Sequence, residues 1–160
     1  MVMGYLYRTA AFVRQHLENS ALRTCGLSWT GFVVLWVVRN RGEAETRLVA
    51  EDAGISKGTL TGVAGTLESR GLLTRTEHPT DGRRVLLSLT DDGEALMARL
   101  RPVFEAEVAF VTAPLDDEEC RDTAEALRRV AGQIQEYGPD RRCDDPRPGG
   151  RRPATGPRHG

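Results

Sequence analysis

The sequence is poor in cysteine, histidine and long apolar runs, and each scarcity excludes a class of protein. The longest apolar run, residues 32–38, is far shorter than the roughly 20 residues of a membrane-spanning helix. Three cysteines at wide spacing, without a CxxC pair, predict neither a disulfide framework nor a structural zinc site. With 39% hydrophobic residues and a net charge of -1, the chain is typical of one soluble globular domain.

Neither the histidines nor the N-terminal segment indicates catalysis or export. His16 falls on a predicted helix, His78 in a predicted loop and His159 in the C-terminal segment. No histidine is therefore expected to lie beside a catalytic nucleophile or among other metal ligands. We therefore expect no enzyme, no metal site and no cofactor. Arg8 interrupts the segment where a signal peptide would need its apolar core, which favours a cytoplasmic protein without a membrane partner.

Apolar residues recur at spacings of three and four over most of the chain, which predicts a mainly α-helical fold. Ser28, Thr46, Ser56 and Thr90 are candidate N-caps, and Pro114 with Asp116 introduces the last helix. The expected helices cover about 5–24, 29–38, 46–53, 56–73, 90–111 and 116–137. A hairpin is expected from strands 73–77 and 84–89, joined by a loop at 78–83.

The segment from residue 138 to residue 160 differs in composition from everything before it. It is rich in glycine and proline and has no Leu, Ile, Val or Phe, so we predict a disordered tail. Six arginines against three aspartates give it a net charge of +3. Such a tail is either a solvated terminus or an accessory contact for DNA phosphates.

Two short predicted helices joined at residues 54–56 form a helix-turn-helix, whose second helix can enter a DNA major groove. The outward positions of that second helix are small and polar, with one lysine: Lys57, Gly58, Thr59, Thr61, Gly62, Gly65, Thr66 and Ser69. Glycine inside a helix costs roughly 0.5 to 1 kcal/mol relative to alanine, so three glycines need a reason. Close approach to DNA is one reason, and close packing of another helix is the alternative.

The predicted hairpin would act as a wing with a basic tip. A tight turn allows Asp81 to pair with Arg83 and orient it for a narrow minor groove, with Arg84 beside it. An ordinary surface ion pair is the alternative interpretation. Residues 54–89 carry a net +2 and residues 116–137 a net -4, so the neutral total hides a dipolar distribution.

These motifs resemble the multiple-antibiotic-resistance-regulator (MarR) family of winged-helix transcription regulators. The resemblance runs from Gly26 to Gly93 and is carried by the SKGTLTGV start of the second helix, Gly71-Leu72-Leu73, the Asp81-x-Arg83 wing and Leu87-Ser88-Leu89-Thr90. It implies a winged helix-turn-helix of six helices with a β-hairpin wing. It also implies a dimerisation region at 1–27 and 100–137, a DNA-binding domain at 28–99, and a homodimer that represses transcription at a palindromic operator. Gly82 departs from the pattern, because many relatives carry a second charged residue there.

From the motifs and the resemblance together, we expect duplex DNA to be bound by Ser56, Lys57, Gly58, Thr59, Thr61, Gly62, Thr66, Asp81, Arg83 and Arg84. Release by a small aromatic or anionic effector is expected near the first two helices and the long helix, with Arg8, Arg14, His16, Trp29, Trp36 and Arg99 as candidates. His16 would equally suit a solvent-facing position, and Trp36 the core. Two alternatives remain: oxidant sensing by Cys25, and a winged helix that binds protein instead of DNA.

Overall fold

The computed structural model describes residues 1–138 as six α-helices and a three-stranded antiparallel sheet, which confirms the predicted fold class. The helices are α1 (Val2–Leu17), α2 (Trp29–Arg41), α3 (Thr46–Ala53), α4 (Lys57–Ser69), α5 (Asp91–Thr112) and α6 (Asp117–Tyr137). The strands are β1 (Glu43–Glu45), β2 (Leu73–His78) and β3 (Asp81–Leu89). Cys143 and the tail beyond residue 138 lie outside the described residues.

Three of the four predicted N-caps bind the first turn of their helices as expected. The hydroxyl of Ser28 accepts a hydrogen bond from the backbone of Gly31, and Ser56 and Thr90 do the same for the third residue of α4 and α5. The predicted cap at Thr46 is wrong. Glu45 occupies that position, and its carboxylate pairs with Arg84 instead of capping α3.

Helix α2 lies at the centre of the core because it is apolar nearly all round. Val34, Leu35 and Val38 have no exposed surface, and Leu60 from α4 and Leu87 from β3 belong to the same buried cluster. Burying a side chain of this size stabilises the fold by about 1.5 to 3 kcal/mol. The helix-turn-helix and the wing are therefore built on one shared core.

The sheet has the strand order β1-β3-β2, and β1 was not predicted. Ala44 is paired with Leu87, so this short strand gives the wing a second neighbour. The predicted six-residue loop at 78–83 is also wrong, because both strands continue further and leave Pro79 and Thr80 between them. The strands of the wing are thus longer than the sequence predicted, and its loop is shorter.

The end of α1 is not the continuous helix that the sequence predicted. After Leu17 the chain makes a π-helical turn (Glu18–Leu22) and a 3-10 turn (Arg23–Cys25), and Gly26 adopts a left-handed φ of 64°. The carboxylate of Glu18 accepts a hydrogen bond from the backbone of Trp29, 3.1 Å away. The wide turn therefore connects the first helix to the start of α2.

The chain has two compact units, Met1–Ala113 and a second that begins at Pro114. In the first, α5 runs through Pro102, and Gly93 lies so close to the carbonyl of Leu72 that an added Cβ would be 2.2 Å from its oxygen. In the second, α6 begins with a capping box between Asp116 and Glu119.

Among residues 1–138, no single helix is long and apolar enough to cross a membrane. The segment Val2–Cys25 and α2 meet the length and composition criteria only together, across a 78° bend.

Candidate nucleic-acid interface

Helix α4 presents the small, polar face that the sequence predicted. Its inward side is fixed by Leu60, Ala64 and Leu67, each buried in the core. The predicted contact residues on the outward side are all exposed: Ser56, Lys57, Gly58, Thr59, Thr61, Gly62 and Thr66. A face without bulky or acidic side chains leaves room for the edges of bases and for phosphates.

The hydroxyl groups on this face donate their hydrogens to the helix itself. Thr61 donates to the carbonyl of Lys57 at 2.9 Å, and Thr66 donates to that of Gly62 at 3.1 Å. Their free lone pairs and methyl groups remain for a partner. In the major groove these groups match the amino hydrogens of adenine or cytosine and the methyl of thymine.

The glycines of α4 have two different surroundings. A Cβ added at Gly62 would meet no atom within 4 Å, so this position is open. A Cβ at Gly65 would lie 3.7 Å from the guanidinium of Arg75, a side chain of β2. Gly65, which was expected on the outward face, is half-buried and borders the wing.

At the wing, Asp81 acts on the backbone and not on an arginine side chain. Its carboxylate accepts a hydrogen bond from the backbone N–H of Arg83 at 3.1 Å, whereas the sequence suggested an ion pair with the guanidinium. Arg83 is exposed and forms no ion pair with any residue between 1 and 138. Arg84 is paired with Glu45, so its charge is already partly neutralised within the protein.

A groove of about 360 Å³ lies between the start of α4 and the wing. It brings Lys57, Arg83 and Arg84 together, although they come from two separate elements. Sequence reasoning missed Arg47, which also lines the groove and pairs with Glu51 one helical turn later. No motif marked this residue, since its position depends on how α3 packs beside the wing. Several cations in one groove make a suitable site for a phosphate backbone.

A second cavity, of about 630 Å³, lies between α2 and α5. It is lined by Phe32, Trp36, Arg39, Asn40, Met97, Leu100, Arg101, Phe104, Glu105, Val108 and Ala109. The rings of Phe32 and Phe104 stack at 4.2 Å between centroids. A hydrogen bond to Glu105, and then the charge of that carboxylate, raises the pKa of Arg101 above its ordinary value.

The predicted effector residues are not brought together. Of the six, Trp36 lines the cavity, and it is 53% exposed instead of lying in the core. His16 is half-buried against Glu107 at 2.5 Å, and Trp29 packs on Phe104, so neither is solvent-facing. Arg8, Arg14 and Arg99 are exposed. The thiol of Cys25 donates to the carbonyl of Leu22 and is free of any disulfide within residues 1–138.

Comparison with known proteins agrees with this geometry. The model described as "MarR family" matches residues 27–85. The regulator YwaE of Bacillus subtilis, described as an uncharacterized HTH-type transcriptional regulator, is 34% identical over 129 residues, covering 81% of this chain and 75% of the relative.

Two solved structures are also similar. BpsR of Bordetella bronchiseptica, whose DNA binding is described as regulated by 6-hydroxynicotinic acid, is 28% identical with a TM-score of 0.75, covering 81% of this chain and 98% of that one. PcaV of Streptomyces coelicolor, solved with its natural ligand, is 30% identical with a TM-score of 0.70, covering 81% and 91%. The chain belongs to the MarR family and is a DNA-binding transcriptional regulator, not an enzyme.

Proposed function

We propose that the chain is a cytoplasmic repressor that binds a palindromic operator as a homodimer and releases it when a small aromatic anion binds. The observation that supports operator binding most directly is the basic groove between α4 and the wing. It contains the helix cation Lys57 beside the wing cation Arg83, and neither forms an ion pair with a described residue. One copy of the chain can therefore contact a major groove through α4 and the adjacent minor groove through the wing.

The exposed apolar side chains of α1 support the homodimer. Val2, Tyr5, Tyr7 and Phe12 are each at least 60% exposed, although they share one helix. Monomeric proteins seldom expose so much apolar surface together, and a second copy of the chain would cover it. The DNA-binding domains of the two copies are then related by a two-fold axis, and they require an operator with the same symmetry.

The cavity between α2 and α5 supports the effector. Its volume lies in the range of small-molecule sites, its walls are mostly aromatic and aliphatic, and Arg39 and Arg101 supply positive charge. Both arginines are engaged with carboxylates, Arg39 with Glu94 at 3.0 Å and Arg101 with Glu105 at 2.8 Å. An aromatic carboxylate would compete for these pairs. The proposal extends to this chain the kind of ligand named for BpsR.

The operator test starts from random-sequence duplex DNA, from which the purified protein selects its preferred site. We expect a two-fold symmetric site with half-sites about one helical turn apart, bound by two chains. Gel shift at a stated salt concentration and light scattering measure both properties. A selected pool without symmetry, or a complex with one chain, would refute the operator as proposed. Transcription from a promoter that contains the site then tests repression.

The effector test adds salicylate or 6-hydroxynicotinate to the protein and to the complex. Release requires tighter binding to the state that cannot bind DNA, so these compounds should raise the melting temperature and weaken the gel shift. Trp36→Ala should abolish both responses while operator binding persists. Retention of both responses in Trp36→Ala, with loss in Arg8→Ala or Arg14→Ala, would place the effector at α1 instead.

Oxidation at Cys25 is the competing trigger, and a separate arm of the same experiment tests it. Under the effector proposal, Cys25→Ser keeps full induction by the aromatic acid, and peroxide leaves the gel shift unchanged. Peroxide that abolishes the wild-type gel shift but not that of Cys25→Ser would establish the oxidant response.

A further inference from the structure

Arg75 was not predicted to contact DNA, yet it joins the wing to the helix that enters the major groove. It lies on β2 opposite Leu87 of β3, whose side chain has no exposed surface. The backbone of Arg75 therefore belongs to the part of the sheet that is fixed by the core. Its side chain extends from this fixed point to α4.

The guanidinium of Arg75 contacts α4 at three positions. It donates a hydrogen bond to the carbonyl of Thr61 at 3.2 Å, pairs with the carboxylate of Glu68 at 3.1 Å, and lies 3.7 Å from where a Cβ of Gly65 would be. These positions are four and three residues apart, so they form one face of the helix. Because Gly65 has no side chain, the planar guanidinium can lie close against that face.

Packing alone does not fill the space between α4 and the sheet at this point. A cavity of about 200 Å³ separates them, lined by Thr46, Lys57, Leu60, Thr61, Ala64, Arg75 and Val85. Arg75 forms part of its wall and spans the gap with directional bonds. Without those bonds, only the packing of Leu60, Ala64 and Leu67 in the core would fix α4.

We propose that Arg75 is a positioning residue that fixes α4 relative to the wing. It sets the separation between the groove contacts of Lys57 and Thr61 and those of Arg83. Glu68 neutralises its charge, so it contributes to operator discrimination through geometry and not by neutralising a phosphate. Sequence-specific complexes need this geometry, whereas nonspecific binding depends mainly on charge. The inference rests on the proposed operator recognition.

The test compares Arg75→Met with the wild type on the selected operator and on a shuffled duplex, over a range of salt concentrations. We expect operator affinity to fall about tenfold, as for one lost specific contact, and affinity for the shuffled duplex to stay nearly constant. The salt dependence of operator binding should keep its slope. Arg75→Lys keeps the charge but replaces the planar guanidinium by an ammonium group. This variant should therefore also discriminate less between the operator and the shuffled duplex.

Arg41→Met is the matched control, because Arg41 also reaches from its own element to a carboxylate on another one, that of Asp52 on α3 at 2.7 Å. It should leave discrimination unchanged. Glu68→Gln should reproduce part of the Arg75→Met effect, and the double variant should be no worse than Arg75→Met alone. If Arg75→Met does not fold, Arg75→Lys and Glu68→Gln decide the question.

Hydrogen exchange measured without DNA tests the positioning role of Arg75 independently of operator recognition. We expect faster exchange of the α4 amides in Arg75→Met, relative to those of α2, and no such change in Arg41→Met. Unchanged exchange in α4 would overturn the positioning role whatever the DNA results. A slope that falls by about 0.9 on both duplexes would overturn it too, since Arg75 would then be a phosphate contact.

Discussion

The first half of α1 and the outward face of α4 are both exposed, but their chemistry is opposite. Tyr5 and Phe12 of α1 are 68% and 60% exposed and present aromatic rings to solvent. Lys57, Thr61 and Gly62 of α4 present a cation, a hydroxyl and bare backbone. Exposure alone therefore does not identify a function. The chemistry of the exposed groups distinguishes a surface suited to protein from one suited to DNA.

Each surface has its own energetic cost to the isolated chain. Exposed aromatic groups on α1 forgo the favourable burial that a partner would supply, at about 25 cal/mol for each Å² left in water. The glycines of α4 weaken the helix itself, by up to about 1 kcal/mol each. Substitutions that change one surface should therefore affect association, and those that change the other should affect DNA binding.

The largest effect should come from giving the α1 surface a charge. In the double variant Tyr5→Glu and Phe12→Glu, two carboxylates replace rings on one face of the helix and should prevent dimerisation. Operator affinity should then fall at least 100-fold, because the two half-sites are no longer bound by two linked copies of the chain. Sedimentation and gel shift measure the two effects. Ala10→Glu, which adds a carboxylate at an exposed position on the opposite side of α1, is the control, and a double variant that remains dimeric would contradict the prediction.

The next effect concerns the two wing arginines. Arg83→Ala should weaken operator binding and lower its salt slope by about 0.9, the value for one phosphate contact. Arg84→Ala should change the slope less, because Glu45 already pairs with that guanidinium. Affinities measured between low and moderate salt test both variants. Equal slopes for Arg83→Ala and the wild type would reduce the wing arginine to a structural role.

A smaller and more selective effect distinguishes the glycines of α4. Gly62→Gln should impair operator binding by filling open space on the outward side of α4. Gly65→Gln should impair it by displacing the guanidinium of Arg75, so its effect should disappear in an Arg75→Met background. The effect of Gly62→Gln should persist in that background. A double-mutant cycle on the selected operator measures both couplings.

The smallest effect is on stability. Gly62→Ala should raise the free energy of unfolding by roughly 0.5 to 1 kcal/mol, since alanine favours the helix and meets no atom there. Urea denaturation measures this change. Gly93→Ala serves as the opposite case, because its Cβ would collide with the carbonyl of Leu72 and destabilise the fold. A destabilised Gly62→Ala would show that its surroundings are not open.

Features that depend on neighbouring residues in the sequence were predictable. Ser28, Ser56 and Thr90 cap their helices because a hydroxyl and a backbone N–H three residues later suffice. β1 was not predictable, since Glu43–Glu45 has little strand propensity and exists through pairing with β3. The pair of Glu45 with Arg84 is likewise invisible in the sequence, because 39 residues separate the partners.

The candidate site divides in the same way. The small outward side chains of α4 follow from helical spacing once Leu60, Ala64 and Leu67 define the inward side. Helix α2 is apolar nearly all round, so its periodicity could not show that Trp36 faces a cavity. The contact of His16 with Glu107 joins α1 to α5, and no local pattern specifies such a partner.

The π-helical turn at Glu18–Leu22 also bears on how this chain can evolve. A π turn winds five residues through nearly the angle that four residues of an α-helix cover, about 400°. Removing one residue from that turn and restoring ordinary winding would therefore leave Tyr5 and Phe12 facing nearly the same direction. The turn thus lets the chain absorb a one-residue insertion between α1 and α2 without rotating the apolar surface of α1.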